Sequence, residues 1–198
     1  MQRKSSIDLA GAAGLVTFAT MLAFNQVVIK VTNGGIGPVF GAGLRSVLAL
    51  AALAAWVWLR GIGFAGLRRH WKPGALLGGL FTVEFVCLFL ALDLTTVSRA
   101  SIMLYSMPVW LALIAHFTLP GETLSRRRAL GLVLAMAGVV WALYDPQSRG
   151  AGDLRGDLLA VCASLAWTGI ALTVRLTPIS DAPPQTQLFW QLAVSAVA

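Results

Sequence analysis

The sequence predicts an all-α membrane protein, a multispan helical bundle, on three observations. Its 198 residues are 58% hydrophobic and only 12% charged, about half the charged share of a soluble domain. The apolar residues gather into runs of roughly 20, the length that crosses a ~30 Å hydrocarbon core at about 1.5 Å per residue. The basic residues fall in the short segments between those runs, and more on one side than on the other.

Taken in order, the apolar runs place spans at 8–30, 38–59, 73–93, 97–119, 126–144 and 154–176, with a seventh beginning near 186. The first run is too long for a signal-peptide core and continues through Asn25, Gln26 and Lys30 without a cleavage site, so it reads as a helix that stays. Turn residues mark the breaks: Asn33-Gly34-Gly35 with Gly37-Pro38, then Lys72-Pro73-Gly74, Pro120-Gly121, Asp145-Pro146 and Pro183-Pro184. Connections this short make consecutive helices antiparallel neighbours. Small residues recur inside the spans (Gly11, Gly14, Gly41, Gly43, Gly131, Ala135 and Gly138), as close helix approach in lipid requires. Gly74 and Gly78 form a small-xxx-small pair that fits intramolecular packing better than a dimer face. Trp56, Trp58, Trp71, Trp141 and Tyr144 stand at span ends, where interfacial aromatics belong.

The formal charge of +7 would suggest nucleic acid as a partner in a soluble protein. Here its distribution gives a different meaning. With the N-terminus inside, Arg3, Lys4, Arg60, Arg68, Arg69, Lys72, Arg126, Arg127, Arg128 and Arg175 lie on one side, against Lys30, Arg99, Arg149 and Arg155 on the other. That is the positive-inside bias. It predicts a cytoplasmic N-terminus in a bacterial inner membrane, with the lipid bilayer as partner and no nucleic acid. Cys87 and Cys162 are isolated within spans and read as small packing residues.

The segment 8–32 recurs loosely 145 positions later. Asp8 matches Asp153, Leu9 Leu154, Gly11 Gly156, Val16 Val161 and Thr32 Thr177; Lys30 falls on Arg175 and Pro38 on Pro183. Five spans separate the two starts. Five is odd, so the second copy enters from the opposite face. Inverted repeats of this kind are common in secondary transporters, with the substrate site where the copies meet.

Polar groups at membrane depth are costly unless they face the bundle interior or water. The rise per residue puts Asn25 ~8 Å, Arg45 ~10 Å, Tyr105 ~12 Å and Glu84 ~14 Å below the outer face, in one layer. Glu84 reads as a carboxylate that contacts substrate or carries protons, or as the ion-pair partner of Arg45. Of the adjacent Asn25 and Gln26 only one can face inward well, and Asn25 is preferred. Pro108 removes the hydrogen bond to the Leu104 carbonyl and bends the fourth span beside Tyr105. Trp167 can line the same cavity from the second copy. His116, ~28 Å from the outer face, belongs to the inner interface, and Asp93 and Arg99 bracket a tight outer turn, where they are expected to pair with each other or to hydrate. No phosphate-cradling loop, zinc pair or nucleophilic triad occurs, so neither a cofactor nor an enzymatic reaction is expected.

The stretch Ser98–Leu143 (SRASIMLYSMPVWLALIAHFTLPGETLSRRRALGLVLAMAGVVWAL) resembles the fourth and fifth helices of the EamA-type branch of the drug/metabolite transporter superfamily. Phe24-Asn25-Gln26 through Lys30, and Leu44-Arg45, resemble helices one and two. Gly156-Asp157-Leu158-Leu159 through Trp167 resembles the start of the second repeat. The resemblance implies ten spans in two inverted five-helix repeats, of which some six or seven would be present. Residues 1–145 would form the first repeat, and 146–198 a linker with part of the second. It also implies a small-molecule substrate (a metabolite, amino acid or drug) moved outward by alternating access, with proton coupling and a homodimer as further expectations. A chain of this extent would be a fragment of such a transporter. The alternative is a non-transporting scaffold or partner-dependent subunit, in which the polar layer ties helices together.

Overall fold

The computed structural model describes residues 9–119, 121–143 and 152–198. The predicted joint between the copies, together with Arg3, Lys4, Asp8 and Tyr144, lies outside the described residues. Eight α-helices are found among the described residues: α1 Leu9–Asn33, α2 Pro38–Leu59, α3 Trp71–Leu94, α4 Val97–Leu104, α5 Met107–Thr118, α6 Arg126–Leu143, α7 Leu154–Leu176 and α8 Pro184–Val197. A 3-10 turn, Pro178–Asp181, joins the last two. The protein is a multispan helical membrane bundle, as expected.

Among the described residues five stretches are long and apolar enough to cross a membrane, with α4 and α5 counted as one: Gly11–Asn33, Pro38–Leu59, Trp71–Leu94, Val97–Thr118 and Leu154–Leu176. The expected span at 126–144 is present as α6, but its 18 residues open on three arginines. That leaves an apolar length of about 22 Å, short of the core thickness. Helix α8 has 14 residues.

Local chemistry explains the helix ends. Helix α2 closes in a Schellman turn: Ile62 N–H donates to the Val57 carbonyl and Gly61 N–H to that of Trp58, with Gly61 at φ 61°. Thr96 caps α4 by accepting from Arg99 N–H at 3.3 Å, and Asp153 caps α7 by accepting from Arg155 N–H at 3.0 Å.

Helix α3 is the centre of the bundle. It packs on α7 most extensively, then on α8, α2 and α1, and its buried face runs from Gly74 to Leu92. Leu77, Leu88, Phe89 and Leu92 are among the most buried side chains in the core. A Cβ at Gly169 would lie 3.2 Å from Leu80, and one at Gly156 3.0 Å from Leu94. Positions rise along α3 as they fall along α7, so the two helices are antiparallel. Cys87 and Cys162 meet across this interface.

Gly74 and Gly78 serve intramolecular packing. A Cβ on Gly74 would come within 2.5 Å of the Trp190 indole, and one on Gly78 within 2.5 Å of the Trp190 carbonyl oxygen. The small-residue face therefore seats α8.

Three contacts fix the relative directions of α1 and α7. Lys30 Nζ, in the last turn of α1, donates to the carbonyls of Leu92 at 2.5 Å, Thr95 at 3.1 Å and Asp93 at 3.4 Å. Its charge thus sits on the negative end of the α3 dipole. Asn33 Nδ2 donates to the Phe89 carbonyl at 2.8 Å. At the same end, Asp153 N–H, entering α7, donates to the Leu94 carbonyl at 3.0 Å. Helix α1 ends, and α7 begins, beside the C-terminus of α3, so α1 and α7 run in opposite directions.

Candidate functional site at the break in the fourth span

Helix α4 stops at Leu104 and α5 starts at Met107. Proline 108 has no N–H to give to the Leu104 carbonyl, and the chain uses Tyr105 and Ser106 as a turn. Ser106 N–H and Oγ both donate to the Met103 carbonyl, at 3.2 and 2.6 Å. The predicted bend is therefore a full interruption.

Polar side chains from four helices converge on it. From α1, Gln26, only 2% exposed, accepts from Ser101 Oγ at 2.5 Å and donates to Tyr105 Oη at 3.0 Å. The Tyr105 hydroxyl is the acceptor in that bond, which leaves its own proton to give elsewhere. From α7, Ser164 lies 3.3 Å from Ser106 Oγ, and Thr168 donates to the Ser164 carbonyl at 2.9 Å. Trp110 Nε1 donates to Ser106 Oγ at 2.9 Å. A polar seam thus runs from α1 through the break to α7, with partners for most of its members.

A cavity of about 370 Å³ opens beside the break, walled by Tyr105, Met107, Pro108, Leu132, Met136 and Trp167 among others. That volume suits a small molecule. Its walls are apolar apart from the phenol and the indole.

The expected polar layer divides into two parts. Tyr105, Pro108 and Trp167 come together at the cavity. Asn25 is half-buried and Gln26 takes the interior position that had been assigned to Asn25. Successive helical positions are about 100° apart, and it is Gln26, not Asn25, that shares a face with buried Ile29. Arg45 and Glu84 form a separate pair between α2 and α3. Glu84 is 7% exposed. The Arg45 guanidinium lies 3.8 Å from the Phe85 ring centroid and 5.9 Å from that of Phe81. No hydrogen bond or ion pair within 4.0 Å joins Arg45 to Glu84 among the described residues. One guanidinium nitrogen of Arg45 is buried without a partner.

Asp157 was not singled out as a site residue from the sequence. It forms a bidentate ion pair with Arg99 and also accepts from Thr95 Oγ1 at 3.0 Å. Arg99 therefore pairs across 58 positions rather than with Asp93 in its own turn. The available signal was a carboxylate one turn inside a span, which needs a cationic partner. Gly152 and Gly156 admit this contact: a Cβ on either would lie within 2.9 Å of Thr95. His116 Nδ1 accepts from Leu124 N–H at 3.1 Å and closes the turn between α5 and α6.

A helical bundle with five stretches long and apolar enough to cross a membrane, one of them broken beside an interior polar seam and a cavity, makes this an integral membrane protein. The profile of the EamA-like transporter family matches residues 9–144, and the chain belongs to that family, one of transporters rather than enzymes. It is 22% identical over 160 residues to "Uncharacterized transporter YoaV" of Bacillus subtilis (strain 168), covering 80% of this chain and 54% of that protein. The chain thus spans about half the length of this curated relative. A solved structure described as "Crystal structure of protein" superposes with a TM-score of 0.68 at 24% identity, covering 94% of this chain and 64% of the other. That likeness concerns the fold alone.

Proposed function

We propose that this chain carries the first five-helix repeat (1–145) and the beginning of an inverted second repeat (146–198) of a membrane transporter that moves small metabolites, amino acids or drugs by alternating access. The observation that carries the reading is the break in the fourth span, where donors and acceptors from both copies meet beside a cavity of about 370 Å³. The opposed directions of α1 and α7 support the inverted sense of the copies. Interrupted helices at the contact of such repeats suit transport sites, because freed backbone groups and polar side chains recognise substrate there without exposing backbone to lipid.

In this reading the cavity accepts an amphipathic solute. Its apolar part lies between Trp167 and Met136, and its polar part takes the hydroxyl proton of Tyr105. Glu84 is the candidate proton carrier, with Arg45 as the fixed charge beside it. Transport runs outward, the N-terminus is cytoplasmic, the membrane is a bacterial inner one, and two chains associate.

The test is counterflow in proteoliposomes of a defined mixture of amino acids and dipeptides, followed by mass spectrometry. Trp167→Ala and Tyr105→Phe are expected to lower flux at unchanged protein level. Equal flux in both variants would refute this placement of the site. Glu84→Gln is expected to remove the dependence on an imposed proton gradient, and a retained dependence would remove that role.

A further inference from the structure

Helix α5 rests on α7 whereas α6 touches α4, and between α5 and α6 lies a groove of about 960 Å³. Its walls are apolar, with Val109 and Leu113 on α5 and Leu132, Val133, Met136 and Val140 on α6. From Ala129 to Trp141 it follows α6 for about 18 Å, longer than the ~15 Å of one hydrocarbon leaflet. A second cavity of about 380 Å³, bounded by Glu122, Thr123, Leu124 and Arg128, adjoins it, and Leu124 and Leu132 line both. The groove therefore leads into a mouth at the N-terminus of α6, where Arg126, Arg127 and Arg128 are all exposed.

The charge at that mouth is strongly positive. Glu122, the one carboxylate lining it among the described residues, is already engaged, since Arg175 Nη1 lies 3.1 Å from both of its oxygens. The three arginines keep their charge for another partner, and although Ser125 Oγ already accepts from Arg128 N–H at 3.3 Å, the positive end of the α6 dipole favours an anion at the same place. A phosphate at the mouth and a hydrocarbon chain along the groove satisfy both halves of this surface.

We propose that the α5–α6 groove binds an anionic phospholipid, with one acyl chain along α6 and the headgroup phosphate on Arg126, Arg127 and Arg128. Guanidinium groups pair with phosphate oxygens through two N–H donors each, and a neutral diacyl lipid lacks the net charge to match them. Leu132 and Met136 wall both this groove and the cavity beside the break, but the proposal does not depend on the transport reading. Lipid retention is measured without any transported solute.

The experiment uses the intact chain, delipidated in a neutral detergent and offered dioleoylphosphatidylglycerol, dioleoylphosphatidylcholine or inorganic phosphate. Bound lipid is counted by native mass spectrometry, and the shift in Tm is read alongside. Phosphatidylglycerol is expected to bind on the order of a hundredfold more tightly than phosphatidylcholine, the product of about fivefold per arginine. Replacing Arg126, Arg127 and Arg128 together with Gln is expected to abolish most of that preference. Ala137→Phe fills the groove without touching the charge, and is expected to weaken both lipids while leaving their ratio unchanged. Equal binding of the two lipids by the wild type would overturn the proposal. So would a preference that survives the triple substitution, lipid binding unchanged by Ala137→Phe, or a shift that inorganic phosphate alone reproduces. A dimer that Ala137→Phe dissociates while phosphatidylglycerol stays bound would assign the groove to a second copy instead.

Discussion

Replacing Gly74 with Ala tests the α3–α8 interface in a way that separates backbone from side-chain crowding. The new Cβ would lie 2.5–2.6 Å from three atoms of the Trp190 indole, well inside van der Waals contact. Overpacking of this kind costs about 1–3 kcal/mol, offset by up to ~1 kcal/mol of helix propensity gained over Gly. The expected net loss is roughly 0–2 kcal/mol. The control is Gly79→Ala, one residue beyond Gly78 on the same helix. Nothing lies within 4 Å of a Cβ there, so only the propensity gain remains. The obstruction at Gly74 comes from a side chain, and Trp190 Nε1 has no hydrogen-bond partner to lose. Trp190→Ala should therefore relieve it, giving a coupling of about 1–3 kcal/mol in the double-mutant cycle. At Gly78 the nearest atom is the Trp190 carbonyl oxygen at 2.5 Å, and truncating the indole leaves that atom in place. Gly78→Ala should show no rescue. The assay is reversible unfolding in mixed micelles against SDS mole fraction. The reasoning fails if Gly74→Ala and Gly79→Ala behave alike, or if Trp190→Ala rescues Gly78→Ala as well as Gly74→Ala.

Three further outcomes are expected. In Arg99→Gln, Asp157→Asn and the double variant, unfolding should reveal a coupling of about 1–2 kcal/mol, at the lower end for a charge-assisted pair because Arg99 is a third exposed; a coupling near zero would contradict the clamp. Lys30→Met should destabilise by about 1–3 kcal/mol in the same assay, since it leaves carbonyls at the end of α3 without their donor. Pro108→Ala should preserve or raise stability, restoring a helical hydrogen bond to the Leu104 carbonyl, while lowering counterflow flux. Unchanged flux with a continuous fourth helix would separate the break from function.

The helical class, the broken fourth span and the close packing at Gly74 and Gly78 were legible because each follows from local rules: apolar run length, a missing N–H, a missing Cβ. Tyr105 and Trp167 do line one cavity, but only Tyr105 had a depth behind its placement. What was not legible depended on rotation and on long-range partners. Depth cannot separate Asn25 from Gln26, since adjacent positions differ by only about 1.5 Å in height but by ~100° in direction. Arg45, Glu84, Asn25 and Tyr105 share a height, yet α2–α3 and α1–α4 hold them in separate groups. The partner of Arg99 was missed because a neighbour in the same turn looked sufficient, whereas the packing of Gly156 against Thr95 brings Asp157 to it. The short apolar length of α6 follows from counting its three arginines as part of the helix.

The dominance of the α3–α7 contact also sets an order of assembly. Helix α3 ends at Leu94 and α7 is complete only at Leu176, a delay of roughly 4–16 s at synthesis rates of about 5–20 residues per second. During that interval the face of α3 that includes buried Glu84 has no final partner. The nascent chain must shelter a carboxylate in the membrane with only α1, α2 and the broken fourth span in place. Arg45, which precedes it on α2 and stacks on Phe85 in the finished bundle, brings a cation to the same region of the membrane before α7 is made.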